Sequence, residues 1–230
     1  MPIDAIIGET IIPALERLGL KNRGQGVLTL ELAPGVLGWV GLSRDWQHHP
    51  ADELHINPIV GVRHHEIERL AAECLGLGGH AFIPVTIGGP IARLAPEGTP
   101  RSWEFTYERP EAVALEMAGV IAAHGLPFMR AHTTLPRVLD QIERRFGTLD
   151  EALAVRHPIC LWLMGDARRA REAVDAEMER LGERPDQAAA FYRAFAGAFR
   201  RIMARRRGAA GAAGAAGAAT WRPLRESNEE

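Results

Sequence analysis

The sequence predicts an α+β fold: an N-terminal helix, an antiparallel sheet of about four to five strands with packed helices, then a C-terminal helical bundle or hairpin. Three observations carry this. Short runs between residues 27 and 108 are β-rich, and the clearest of them alternate with a period of two. After residue 108 the period becomes 3.6 and stays there. The strand-like runs do not alternate regularly with helical ones, which disfavours a parallel sheet.

The elements follow in order. Ile3, Ile6, Ile7, Ile11, Leu15 and Leu18 share a face, so residues 3–18 are expected as a helix stopped by Gly19. Pro13 predicts a late start or a kink, because an interior proline costs about 3 kcal/mol. GVLTLEL and VLGWVGL flank a Pro-Gly turn and read as a hairpin, with Leu28, Leu30 and Leu32 on the buried side. SRDWQHHPADE reads as a loop. ELHINPIVGV is a third strand, put at an edge or bulged by Pro58. AFIPVTIGG is a fourth, broken at Pro84, and SWEFTYE a fifth, with Trp103, Phe105 and Tyr107 pointing one way.

A helix is expected from Pro110, with Val113, Met117, Val120, Ile121 and His124 on one face and Gly125 as its stop. Thr134 caps a second helix that turns Leu135, Val138, Leu139, Ile142 and Phe146 inward before Gly147. Thr148 to Glu151 fits a capping box for a third. Asp166 caps a fourth to Leu181, and Asp186 a fifth to about Arg206. GAAGAAGAAGAA, at 208–219, has a period of three that forms no helical face. It reads as a flexible tether, with a partly helical tail as the alternative. The last residues, TWRPLRESNEE, read as a disordered tail or as a docking peptide anchored by Trp221 and Leu224. Three regions result: an α+β domain at 1–147, a helical appendage at 148–207, and the tether and tail at 208–230.

Net charge is −2, so no overall field draws the chain to nucleic acid or anionic lipid. Charge is uneven: residues 1–135 hold 10 Lys/Arg against 15 Asp/Glu (−5), and residues 136–207 hold 15 against 11 (+4). The start, MPIDAIIGETII, lacks the basic residues and continuous apolar core of a signal peptide. No run is read as approaching the roughly 18 apolar residues of a membrane span, so the expected location is cytoplasmic and no membrane partner is expected. Cys74 and Cys160 lie among apolar residues and are expected as buried thiols.

The conspicuous polar cluster is INPIVGVRHHEIERL at 56–70. Ile67, Leu70, Ala71 and Cys74 form the buried stripe of a helix, which puts His64 and Glu68 four apart on one side and His65 on another face. His-x-x-x-Glu supplies two metal ligands where three or four are needed, and the order does not match His-Glu-x-x-His. His64, His65 and Glu68 are therefore candidate ligand or partner contacts at a helix start, with no metal and no cofactor expected. GLGGH and TIGGP match no phosphate-binding loop, no Gly-x-Ser-x-Gly elbow is present, and no catalytic constellation stands out.

Two further sets of binding residues come from placement. Arg130 and His132, in MRAHTTLPR, fall between two helices where polar groups can converge on a small ligand. Arg193 and Arg200, with the arginines at 201 and 205–207, put positive charge along the last helix. That charge suits an acidic partner, and its weak aromatic interleaving argues against nucleic acid.

Trp-Leu-Met-Gly-Asp followed by Ala-Arg-Glu-Ala, within 156–207, resembles one helical hairpin of a tetratricopeptide-like unit. Trp103, the Gly-Leu-Pro-Phe run at 125–128 and the order of elements over residues 1–145 resemble an uncharacterised bacterial domain family, which implies a fold and no activity. The functional expectation is a non-enzymatic module that binds another protein, with immunity or antitoxin-like accessory work suiting it. The alternatives are a small-ligand or metal-dependent hydrolase using the His-rich region 48–65, and nucleic-acid binding through the arginine-rich last helix.

Overall fold

Six strands form one antiparallel sheet among the residues that the computed structural model describes: 3, 5–45, 50, 52–145 and 150–218. The strands are β1 (Lys21–Asn22), β2 (Val27–Ala33), β3 (Val36–Asp45), β4 (Leu54–His64), β5 (Ile87–Pro90) and β6 (Trp103–Phe105). The helices are α1 (Ile12–Glu16), α2 (His65–Leu75), α3 (Pro110–Val120), α4 (Leu126–Ala131), α5 (Leu135–Glu143), α6 (Asp150–Leu163), α7 (Ala167–Leu181) and α8 (Gln187–Ala218). The α+β class, the N-terminal helix and the C-terminal helices are as expected, and one hydrophobic core runs from Ile6 to Met203.

Strand β4 organises the sheet. It pairs along its length with β3, while β5 takes residues 59–62 and β6 takes residues 54–56 on its other side. The expectation of an edge or a bulge is therefore corrected: β4 is central and pairs with β3 without a register shift. Pro58 is tolerated there because it falls at the gap between β5 and β6, where a missing N–H breaks no ladder on that side. Leu54, Ile56, Val60 and Val62 point into the core. His55, Asn57, Ile59, Gly61 and Arg63 alternate with them onto the other face.

That second face accounts for three further differences. Thr29 is buried there, so both sides of β2 are covered, and Leu30 and Leu32 are only half-buried. Residues 81–86, expected as strand, instead cross the sheet face as irregular chain, and pairing begins at Ile87. The chain is pinned by Trp39 Nε1, which donates to the Phe82 carbonyl at 2.9 Å, and by the Arg23 guanidinium, 4.4 Å over the Phe82 ring. The fifth strand is short, β6, and Tyr107 lies outside it, 50% exposed.

Two prolines reshape helices in the same way. A π turn at Ile7–Ile11 precedes Pro13, and another at Ile121–Gly125 precedes Pro127. A proline lacks N–H and crowds the carbonyl four residues back, so the helix widens to an i→i+5 bond just before it. Ile12 N–H donates to Ile7 O, and Leu126 N–H to Ile121 O. Gly125 consequently does not stop its helix. Instead its bare Cα lets the helix approach Val60, whose Cγ1 would stand 3.3 Å from any β-carbon there.

The resulting helix, Pro110–Ala131, is long and apolar enough to cross a membrane by length and composition, contrary to the expectation that no such run exists. Met117, Ile121, Leu126 and Met129 bury one of its faces in the core, where α4 packs on β3 and β4. Core packing of that kind asks for the same composition.

The Gly-Ala-Ala stretch is helical as far as Ala218, the alternative to the tether reading, in keeping with alanine's helix preference. His48, His49, Phe146, Gly147, the first half of the Thr148–Glu151 box, Trp221 and Leu224 lie outside the described residues.

Gly61 is required for the irregular segment to lie flat. A methyl group there would stand 2.2 Å from the Ile87 carbonyl oxygen and 2.6 Å from the Val85 side chain. Gly61→Ala is expected to destabilise the protein by about 2–3 kcal/mol through overpacking, measured by urea unfolding. An unchanged midpoint would show that residues 84–87 have room to move.

Candidate functional site

Three charged side chains are buried together. Arg63 of β4 is 3% exposed, Glu68 of α2 is 3% and Arg156 of α6 is 5%. Glu68 and Arg156 form a two-pronged ion pair, Arg156 Nε donating to Glu68 Oε1 at 2.7 Å and Nη2 to Oε2 at 3.0 Å. Arg63 reaches three backbone carbonyls of the chain crossing the sheet: Ala81 (3.1 Å, from Nε), His80 (2.6 Å, from Nη2) and Pro84, from Nη1. Burial lowers the Arg63 pKa from its ordinary value. Glu68 partly offsets this, and the like charge of Arg156 adds to it.

These groups floor a cavity of about 300 Å³. Its walls are apolar: Ala71, Ala72 and Leu75 of α2, Ile83 and Pro84, and Ala152 and Val155 of α6. Leu77 and Phe191 stand at the mouth, 58% and 43% exposed. His80 lines the rim; its Nδ1 accepts from the Phe82 and Ile83 N–H groups at 3.1 Å each, which assigns the proton of the neutral ring to Nε2. Among the described residues the floor thus holds two guanidinium groups against one carboxylate. Arg156 Nη1 makes no hydrogen bond to a described residue, since Nε and Nη2 take both Glu68 oxygens.

The expected site residues divide. Glu68, expected as a ligand or partner contact at the helix start, is instead buried in the ion pair. His64 sits at the junction of β4 and α2, half-buried, its N–H donating to Thr86 Oγ1 at 2.8 Å and its Nδ1 without a partner. Burial lowers its pKa, with Glu66 and Glu68 pulling the other way. His65 is exposed at the helix start. His132 is buried, its Nδ1 2.7 Å from the Phe128 carbonyl and its ring 4.3 Å from the Phe128 ring, so it closes α4. Arg130 is exposed beside it. Thr134 starts α5 without a side-chain capping bond, whereas Asp166 and Asp186 cap their helices at 3.0 and 3.1 Å. Arg193 donates to the Gly182 and Arg184 carbonyls at the end of α7, and Arg200 pairs with Asp175. Both are spent within the chain.

Sequence reasoning missed Arg63 and Arg156. A signal was present for the latter: Arg156 lies inside ALAVRHPICLWL, and a charge in so apolar a helix needs a buried partner. Both cysteines are free and buried, as expected. Burial pushes the thiol pKa up to about 11 for Cys74 and about 12 for Cys160, and nearby Glu73 and Glu143 add to this, so neither is a nucleophile at neutral pH.

Two outcomes follow. Arg156→Met leaves the Glu68 carboxylate buried and unpaired, and is expected to cost about 3–5 kcal/mol in urea unfolding; a cost under 1 kcal/mol would mean that Glu68 finds water. The raised thiol pKa values mean that, above the ordinary thiol pKa of 9.0, the unfolded chain releases protons that the folded chain holds. The stability that the thiols contribute is complete below pH 9.0 and falls as pH rises through 11 to 12. Replacing both cysteines with alanine should flatten that alkaline slope.

Set beside protein-family models, curated proteins and solved structures, the chain matches none of them, so its function is argued from the site alone.

Proposed function

We propose that this protein binds a small amphipathic monoanion, an apolar body ending in one carboxylate, in the cavity between α2, α6, α8 and residues 77–84. The observation that carries this is the buried excess of one positive charge at the floor of an otherwise apolar cavity. Arg63, which meets only backbone carbonyls, is a buried cation without a carboxylate of its own, and a ligand carboxylate accepting from Arg156 Nη1 in the same cavity would bring the missing negative charge through a charge-assisted hydrogen bond. The volume lies at the lower end for small-molecule sites. The reading is binding rather than turnover. Among the described residues the lining holds no hydroxyl or thiol, Glu68 is fully engaged by Arg156, and His80 Nδ1 is occupied.

The protein-interaction reading draws on the uneven charge and on a tail whose anchors lie outside the described residues. The cavity supports a small-ligand reading more specifically, centred on Arg63, Glu68 and Arg156 rather than on the histidines of region 48–65 that the hydrolase alternative invokes.

Octanoate titrated calorimetrically is expected to bind one per chain, and octanol about tenfold more weakly, the loss of one charged hydrogen bond. Ala72→Trp, which fills the cavity from α2, should abolish binding with little loss of stability. Equal affinity for acid and alcohol, or binding that survives the plug, would refute the proposal.

A further inference from the structure

We propose that Glu53, His55 and Glu104 form a binding site for a divalent transition-metal cation of the zinc or manganese kind. Glu53 lies just before β4, two residues from His55. Glu104 of β6 is directly opposite His55 in the antiparallel register. One ligand atom from each residue lies within 4.8 Å of the others, and His55 Nε2 is 3.0 Å from Glu53 Oε2. Metal–ligand bonds of about 2.0–2.2 Å put neighbouring ligands some 3–4 Å apart, so small side-chain rotations complete the set.

A His–Glu pair accounts for one carboxylate. The second, Glu104, brings a further negative charge beside the same imidazole, and a divalent cation would offset both carboxylates. An independent observation adjoins the cluster. Asn57, two residues beyond His55 within β4, shares its face, and Ser102 lies just before β6, two residues from Glu104. Asn57 Oδ1 and Ser102 Oγ are shut off from solvent without a hydrogen-bond partner among the described residues. Both are oxygen atoms suited to the metal's outer ligands or to its bound water.

One nitrogen and two carboxylate oxygens suit a borderline cation. Calcium takes six to eight oxygen ligands and is disfavoured. The site is independent of the cavity: His55 and Arg63 lie at opposite ends of β4, eight residues or about 26 Å apart.

The test uses untagged full-length protein stripped with chelator and titrated with zinc chloride, alongside thermal unfolding with and without zinc. One zinc per chain, a raised melting temperature, and at least tenfold weaker binding in Glu104→Gln and His55→Gln are expected. Glu104 is exposed, so its variant should fold normally and decides the matter if His55→Gln does not fold. Absence of zinc binding, binding unchanged by Glu104→Gln, or calcium bound as tightly as zinc would overturn the proposal.

Discussion

The buried ion pair between Glu68 and Arg156 is the interaction on which the rest of the structure depends. Two charges taken out of water stay ionised in a protein interior only if they face each other with good geometry, and here both oxygens of one meet two nitrogens of the other. The pair joins residues 88 apart in the chain, one on the helix that leaves the central strand and one on the first helix after residue 150. It therefore fixes how the C-terminal helices lie against the sheet.

That arrangement leaves Arg63 without a carboxylate of its own. Its donors are met by carbonyls of the chain at 80–84, which must fold across the sheet to reach it. Trp39 and Arg23 hold the same segment by Phe82, and Gly61 removes the side chain that would block its return to β5. The cavity is the space enclosed once these conditions are met. Its charge excess is a consequence of using one carboxylate to neutralise two arginines, and specificity for an anion would follow from that imbalance alone.

Strand β4 divides the labour. One face supplies Leu54, Ile56, Val60 and Val62 to the core; the other carries His55 at one end and Arg63 at the other. His55 and His64 therefore do not act together as one site, being separated by most of a strand. What was legible in the sequence is what local periodicity governs, such as α5 with Val138, Leu139 and Ile142, or the aspartate caps at 166 and 186. Positions decided by distant partners were not legible. Glu68 occupies the flank of an amphipathic helix, and only Arg156, far along the chain, makes that flank an interior. Pro58 suggested an edge strand because nothing nearby reveals that two different strands meet beside it. Gly125 signalled a stop because its local freedom is visible in sequence and its contact with Val60 is not.

The cavity's charge imbalance is tested most directly by a crystal structure with a medium-chain carboxylate brominated at its far end. The carboxylate is expected within hydrogen-bonding distance of Arg156 Nη1 and the bromine signal at the mouth, near Leu77 and Phe191. A carboxylate in solvent with the alkyl end against the arginines, or no ligand in the cavity at saturating concentration, would contradict it.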